Sequence, residues 1–277
     1  MSVTENLAVI SSRVAAAWAA NKGAAAASNL PRLVAVSKTK PKEMIIEAYN
    51  AGHRHFGENY IQELVEKSGD EEMLEKCPEI KWHFIGNCQT NKAAKLMKCQ
   101  NLSIIETVTS TKLASKLDSQ VEKNSKIGVF VQVNTSGESN KNGIEPSDVV
   151  ETVKFILEKC PHLKFCGLMT IGNLGNSLSA TTVGENPDFS TLSKVRKEVS
   201  DATNISEEDM ELSMGMSNDF EEAIKMGSTN VRVGSSIFGA RNYPAADAPV
   251  KANETSEGIT SVGNIENVSN KMEHLST

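Results

Sequence analysis

Eight short β-rich runs alternate with helix-patterned stretches along this chain, and that rhythm restricts its fold more than any other feature. The runs are Leu33–Ser37, His55–Glu58, Lys81–Gly86, Ser103–Val108, Gly128–Asn134, Lys164–Gly172, Glu211–Gly215 and Asn230–Gly234. Between them apolar residues recur at i, i+3 and i+4 spacing, as in Met44/Ile45/Ala48/Tyr49, Ile61/Leu64/Val65 and Val149/Val150/Val153/Ile156/Leu157. Strands separated by helices call for a parallel sheet. Eight of them in about 240 residues suit a closed barrel better than an open sheet. No G-x-G-x-x-G follows a strand and no G-x-x-x-x-G-K-[ST] occurs, so dinucleotide and P-loop sites lose their main support. The expected fold class is α/β, a single (β/α)8 TIM barrel over residues 33–243.

Residues 1–32 read as an N-terminal amphipathic helix and lead-in, because Leu7, Ile10, Val14 and Trp18 recur at helical spacing. Glu5 ahead of that stretch and Arg13 as its basic residue argue against a secretory signal. Residues 244–277 carry no aromatic side chain and little large apolar content, and read as a disordered tail. Asn173–Asp188, rich in Asn, Gly, Ser and Thr, reads as a solvated loop, with a lid as the alternative. A net charge of −6 argues against a nucleic-acid or anionic-membrane binder, while leaving room for a local basic site. The five cysteines form no C-x-x-C pair and no zinc spacing, which fits reduced thiols in an intracellular protein. The expected location is cytoplasmic; a mitochondrial address, the alternative, would want more arginine at the start.

Chemistry in such a barrel sits at the C-terminal ends of the strands. Lys38 follows the first strand and shares a face with Val34 and Val36 by the strand period of two. An inward lysine there can lose its proton through desolvation and cationic neighbours such as Lys40, giving the amine a Schiff base needs. Spacing alone supports equally a solvated turn holding Lys38, Lys40 and Lys42. Gly234-Ser235-Ser236 after strand eight opens a short helix-like stretch, the place where barrels often hold phosphate. Ser213 and Ser217 after strand seven could add donors, and Ser217 is also a candidate helix cap. Arg232, two residues before the phosphate turn, could approach a ring acceptor or be an ordinary salt-bridged arginine. His53 and His55 lie at a strand start and read as surface histidines, and His83, between Trp82 and Phe84, as a satisfied core histidine.

Val34-Ala-Val-Ser-Lys38-Thr-Lys-Pro41, Phe56-Gly-Glu-Asn-Tyr60, Trp82-His-Phe-Ile-Gly86 and Gln89-Thr-Asn-Lys92 resemble blocks of the pyridoxal phosphate homeostasis proteins. So do Gly167–Gly172, Leu212–Ser217 and Val231–Arg241, and all run in that family's order from about residue 33 to 243. The resemblance implies a single barrel similar to the N-terminal domain of alanine racemase. It implies pyridoxal 5′-phosphate as cofactor, held on Lys38 as an internal aldimine. The phosphate would lie against Ser213, Ser217, Gly234 and Ser235, Arg232 would face the pyridine nitrogen, and Asn59 would line the ring pocket.

The resemblance further implies homeostasis of the vitamin B6 cofactor without robust catalysis. An arginine at the pyridine nitrogen disfavours its protonation and weakens the ring as an electron sink. Racemase relatives draw a second acid/base group from an additional domain and a dimer partner, and no stretch here reads as that domain. The ligand is then the cofactor, with apo-enzymes as transient partners, no nucleic acid or membrane, and a monomeric state. Lys40, Lys92 and Lys141 are candidate secondary sites for the cofactor. Rival readings are a racemase or decarboxylase using the same Lys38, a Schiff-base aldolase, and a phosphosugar-binding barrel. The aldolase is disfavoured by resemblance again, since such enzymes carry the lysine on the sixth strand and Gly167–Gly172 has none.

Overall fold

The computed structural model describes residues 1–21, 29–122, 125–138, 142–173 and 185–240. Its eight parallel strands are β1 (Arg32–Val36), β2 (His55–Glu58), β3 (Lys81–Phe84), β4 (Leu102–Val108), β5 (Ile127–Gln132), β6 (Leu163–Met169), β7 (Glu211–Ser213) and β8 (Asn230–Val233). They pair in sequence order, and β1 pairs with β8 to close the barrel. The expected barrel is present. The third, fifth, sixth and seventh runs stop two or three residues short of their expected ends, and after the sixth and seventh the chain turns at Gly172 (φ 68°) and Gly215 (φ 94°).

Alternation along each strand divides the side chains between two cores. Leu33, Ala35, Phe56, Trp82, Phe84, Leu212, Val231 and Val233 face outward and join the apolar layer beneath the helices. Inside the barrel one side is apolar, built on Ile104, Phe130 and Met169. The other side is polar: His83, Glu106, Ser213, Asn230 and Arg232 are all buried.

The first helix, α1 (Val3–Ala20), buries Val3, Leu7, Ile10, Val14 and Ala17, the stripe expected of an amphipathic helix. Ser2 and Glu5 form a capping box at its start, the Ser2 amide donating to Glu5 at 2.8 Å and the Glu5 amide to Ser2 Oγ at 3.2 Å. The remaining helices are α2 (Lys42–Asn50), α3 (Ile61–Ser68), α4 (Glu71–Lys76), α5 (Ala93–Leu96), α6 (Thr111–Asp118), α7 (Val149–Lys159), α8 (Pro187–Thr203), α9 (Phe220–Lys225) and α10 (Ser235–Phe238). Only the four-residue α10 follows β8 among the described residues, too short to cover that side of the barrel. Helix α1 packs against α2, α9 and α10 and so fills the outer position that an eighth barrel helix would take. Arg13 ties it to Glu221 of α9 through two bonds of 3.0 and 2.8 Å. Residues 174–184 of the expected loop, the expected tail (244–277) and Lys141 lie outside the described residues.

Candidate functional site

At the C-terminal mouth of the barrel a cleft of about 190 Å³ is lined by Lys38, Asn59, Ser217, Arg232, Gly234 and Ser235, among others. One water needs roughly 10–15 Å³, so the cleft is the size of a ligand rather than of a stray solvent molecule. It brings together six of the seven residues singled out from the sequence, contributed by the ends of β1, β2, β7 and β8.

Lys38 follows β1 on the face of Val34 and Val36, whose side chains point into the barrel toward Gly57. Lys40 also lines the cleft and donates to the Ala240 carbonyl, and burial lowers its pKa from the ordinary lysine value. Asn59 projects from the turn after β2, and its Oδ1 is buried without a hydrogen-bond partner. The turn passes so close to β3 that a Cβ at Gly86 would sit 1.8 Å from the Asn59 carbonyl oxygen. Only glycine fits there.

From the neighbouring β7 and β8, Ser217 Oγ accepts the Gly234 amide at 3.3 Å, and Ser235 opens α10. The first amides of a helix have no partner within it. Ser217 is not a helix cap: α9 begins at Phe220, and the loop before it is closed by Asp219 Oδ1, which accepts the Met216 amide at 2.6 Å. The loop can turn that sharply because Gly215 adopts φ 94°, where a Cβ would meet Ala223 Cβ at 2.5 Å.

Ser213 departs from expectation. It is wholly buried and does not line the cleft with the other six. Its inward hydroxyl donates to Glu106 Oε2 at 2.6 Å and accepts from Arg232 Nη1 and, at 2.9 Å, from Asn230 Nδ2. The strand period explains the placement: Ser213 points into the barrel interior, where Glu106, Asn230 and Arg232 meet its hydroxyl.

Arg232 therefore has two roles, reaching the cleft while anchored from behind. Its Nη2 donates to the Thr170 carbonyl at 2.8 Å, and Nη1 lies 3.9 Å from Glu106 Oε2 across the Ser213 hydroxyl. Burial lowers the Arg232 pKa, opposed by the charges of Glu106 and Asp219; an arginine remains a cation even so. Burial alone would raise the Glu106 pKa. The hydrogen bond and field of His83, the charge of Arg232 and the Ser213 hydroxyl outweigh it and hold the carboxyl at about 2. His83 Nδ1 lies 2.7 Å from Glu106 Oε1, and its Nε2 lies 2.9 Å from His55 Nδ1. His83 is a satisfied core histidine, as expected, but His53 and His55 are both half-buried rather than surface residues, and His55 belongs to the same network. Glu106 escaped notice in the sequence. Its signal was there: a lone acid inside the apolar run Ser103–Val108, where an unpaired carboxylate is not tolerated.

Residues 12–242 match the family model for the N-terminal domain of alanine racemase. The human pyridoxal phosphate homeostasis protein is 52% identical over 224 residues, covering 80% of each chain. The chain belongs to the pyridoxal phosphate homeostasis protein family. Among solved structures, a protein of unknown function from Bifidobacterium adolescentis superposes with a TM-score of 0.72 at 33% identity, covering 85% of this chain and 94% of that one. PipY of Synechococcus elongatus, solved with PLP bound, gives 0.65 at 30% identity and covers 86% of this chain and all of the other.

Proposed function

We propose that this chain binds pyridoxal 5′-phosphate in the cleft at the barrel mouth, reversibly bonded to Lys38, and acts in homeostasis of the cofactor. One observation carries the reading: a single cleft joins a lysine on β1 to the glycine-serine turn and buried arginine of β8, in a chain of this family. The donor set fits an aromatic aldehyde bearing a phosphate. Lys38 supplies the amine, Ser217, Ser235 and the amides opening α10 suit a dianion, and Asn59 Oδ1 is an acceptor in need of a donor. The lysine nitrogen bonds the aldehyde carbon and water leaves, so hydrolysis returns the free cofactor.

Bound pyridoxal phosphate supplies an electron sink for carbanions, and the strength of that sink depends on protonation of the ring nitrogen. A cation such as Arg232, backed by ionised Glu106, opposes that protonation. The relatives carry the name of homeostasis proteins rather than of enzymes, and this chain covers 80% of the human one. In this reading the protein holds a reactive aldehyde, passes it transiently to apo-enzymes, and works as a cytoplasmic monomer.

The test is the visible spectrum of the purified protein with pyridoxal 5′-phosphate, followed by borohydride reduction and peptide mass analysis. A visible band with a reduced pyridoxyl group on Lys38 is expected, and its loss in Lys38→Ala. No band under excess cofactor would refute covalent binding. Lys38-dependent exchange of an amino acid's α-proton at enzymatic rates would refute the homeostatic reading in favour of a racemase or decarboxylase.

A further inference from the structure

The turn that carries Lys38 is held from behind, on the side away from the cleft. Ser37 points outward from β1, and its hydroxyl donates to Glu58 Oε1 at 2.7 Å. Lys67 of α3 reaches the same place, buried, and spends all three ammonium protons there. It donates to the Ser37 carbonyl at 2.9 Å, to Glu58 Oε1 at 2.7 Å and to Glu63 Oε1 at 2.7 Å. Glu63 Oε1 in turn accepts the Thr39 amide at 2.7 Å. The carbonyl before Lys38 and the amide after it are thus tied to one buried cluster, which brackets the lysine.

Two further observations show that the arrangement is imposed rather than relaxed. Thr39 adopts φ 60°, the left-handed region that a β-branched residue avoids, and its hydroxyl is buried without a partner. Such strain survives only where the surroundings over-determine it, and it gathers at functional sites. Glu58 is fully buried with its second oxygen, Oε2, unpaired. A buried ion cluster of this kind gives little net stability, since desolvation offsets its attraction. What it gives is a fixed geometry.

We propose that Lys67, gripped between Glu58 and Glu63, is a positioning residue that fixes the Ser37–Thr39 turn so that Lys38 is presented to the cleft, and thereby sets how fast the lysine captures an aldehyde. The inference rests on the reading of Lys38 as the aldehyde-binding residue. It also introduces a dependence on pH. Burial pushes the Glu58 carboxyl up to about 7, against the pull of Lys67 and with the push of Glu63, while the Ser37 hydroxyl lowers it slightly. Above that pH the ionised Glu58 grips Lys67; below it the grip loses its charge.

The experiment uses the full chain stripped of cofactor, mixed rapidly with pyridoxal 5′-phosphate while the visible band is followed. Pyridoxine 5′-phosphate, which has no aldehyde, measures the cleft without the lysine bond. Lys67→Met is expected to slow band formation at least tenfold while leaving affinity for pyridoxine 5′-phosphate within twofold of the parent. Glu58→Gln, a milder change, is expected to flatten the step near pH 7 in the rate, and Lys67→Arg to recover part of it. Unchanged rates in folded Lys67→Met, or an equal loss of both ligands, would overturn the proposal. If Lys67→Met does not fold, an unaltered pH profile in Glu58→Gln overturns it instead. Failure of the parent itself to form the band would refute the Lys38 reading, a separate result.

Discussion

Replacing Arg232 by methionine tests whether the barrel interior holds a true charge pair. At 3.9 Å from Glu106, and with an effective dielectric constant of about 20, the attraction is about 4 kcal/mol. Truncation leaves Glu106 charged in a site with no solvent, which in comparable buried pairs costs about 3–5 kcal/mol. The lost bond to the Thr170 carbonyl adds about 1 kcal/mol. The donors that remain on Glu106 (His83, Ser213 and Asn230) keep the total toward the lower end, near 4 kcal/mol. For a chain of this size each kcal/mol lowers Tm by about 2–4 °C, so Arg232→Met should melt about 8–16 °C below the parent. Urea unfolding at pH 7 of Arg232→Met, Glu106→Gln and the double variant isolates the pair. The double variant should recover about 2–3 kcal/mol relative to the sum of the singles. Additivity within about 0.5 kcal/mol would refute the coupling and reduce Arg232 to a residue of the cleft wall alone.

Stability should fall on acidification in two stages, followed by melting at successive pH values. Burial, with the neighbouring charges, lowers the His53 and His55 pKa values to about 4 and about 3. Through these two histidines the unfolded chain binds protons first as pH drops below the ordinary histidine value. Glu58, raised to about 7, works the other way but is outweighed by the pair, so stability declines from there. Glu106, held at about 2, adds stability that is complete above the ordinary carboxylate range and lost as pH falls toward 2. Glu106→Gln should remove that second stage. Gly86→Ala, whose Cβ would overlap the Asn59 carbonyl oxygen at 1.8 Å, should cost about 3 kcal/mol and displace Asn59, read as a lower Tm with weakened cofactor binding. Wild-type affinity in that variant would show that Asn59 does not shape the cleft. Ile10→Ala, in α1 where the side chain is 2% exposed, should cost about 2–5 kcal/mol in urea unfolding. A loss below 1 kcal/mol would show that α1 does not seal the barrel.

The barrel was legible because each strand is short, β-rich and followed by a helix of clear period, and the eight runs match the eight strands within a few residues. Lys38, Asn59, Arg232 and the Gly234-Ser235 turn were legible for a related reason. Strand ends define the mouth, and residue type then selects among the few positions available. What the sequence hid is the layer behind. Ser213 and Ser217 look alike beside the same methionines, yet one faces the barrel axis and the other the cleft, a difference set by the turn at Gly215. Glu58 and Asn59 are neighbours that face opposite ways, the acid toward Lys67 and the amide toward the cleft. The partner of Glu58 lies nine residues on, in a helix whose polar face reads as ordinary solvent-facing charge until its packing is known.

Charge placement explains how a chain with a net charge of −6 can offer an anion a home. The charged residues lining the cleft are Lys38, Lys40 and Arg232, with no carboxylate among the described residues of its wall. Of the acids behind them, one stands a layer deeper inside the barrel and the other is turned outward by the strand period. Glu106 lies beneath Arg232, and Glu58 lies on the outer side of the sheet behind Lys38, where it faces Lys67. A slip of one residue in β2 would exchange Glu58 with its neighbours and put a carboxylate into the cleft. Parallel pairing of Glu58 with Phe84, and of Gly57 with Val36 and His83, prevents that slip. The register of two strands, more than the count of basic residues, therefore decides the sign of charge that a ligand meets.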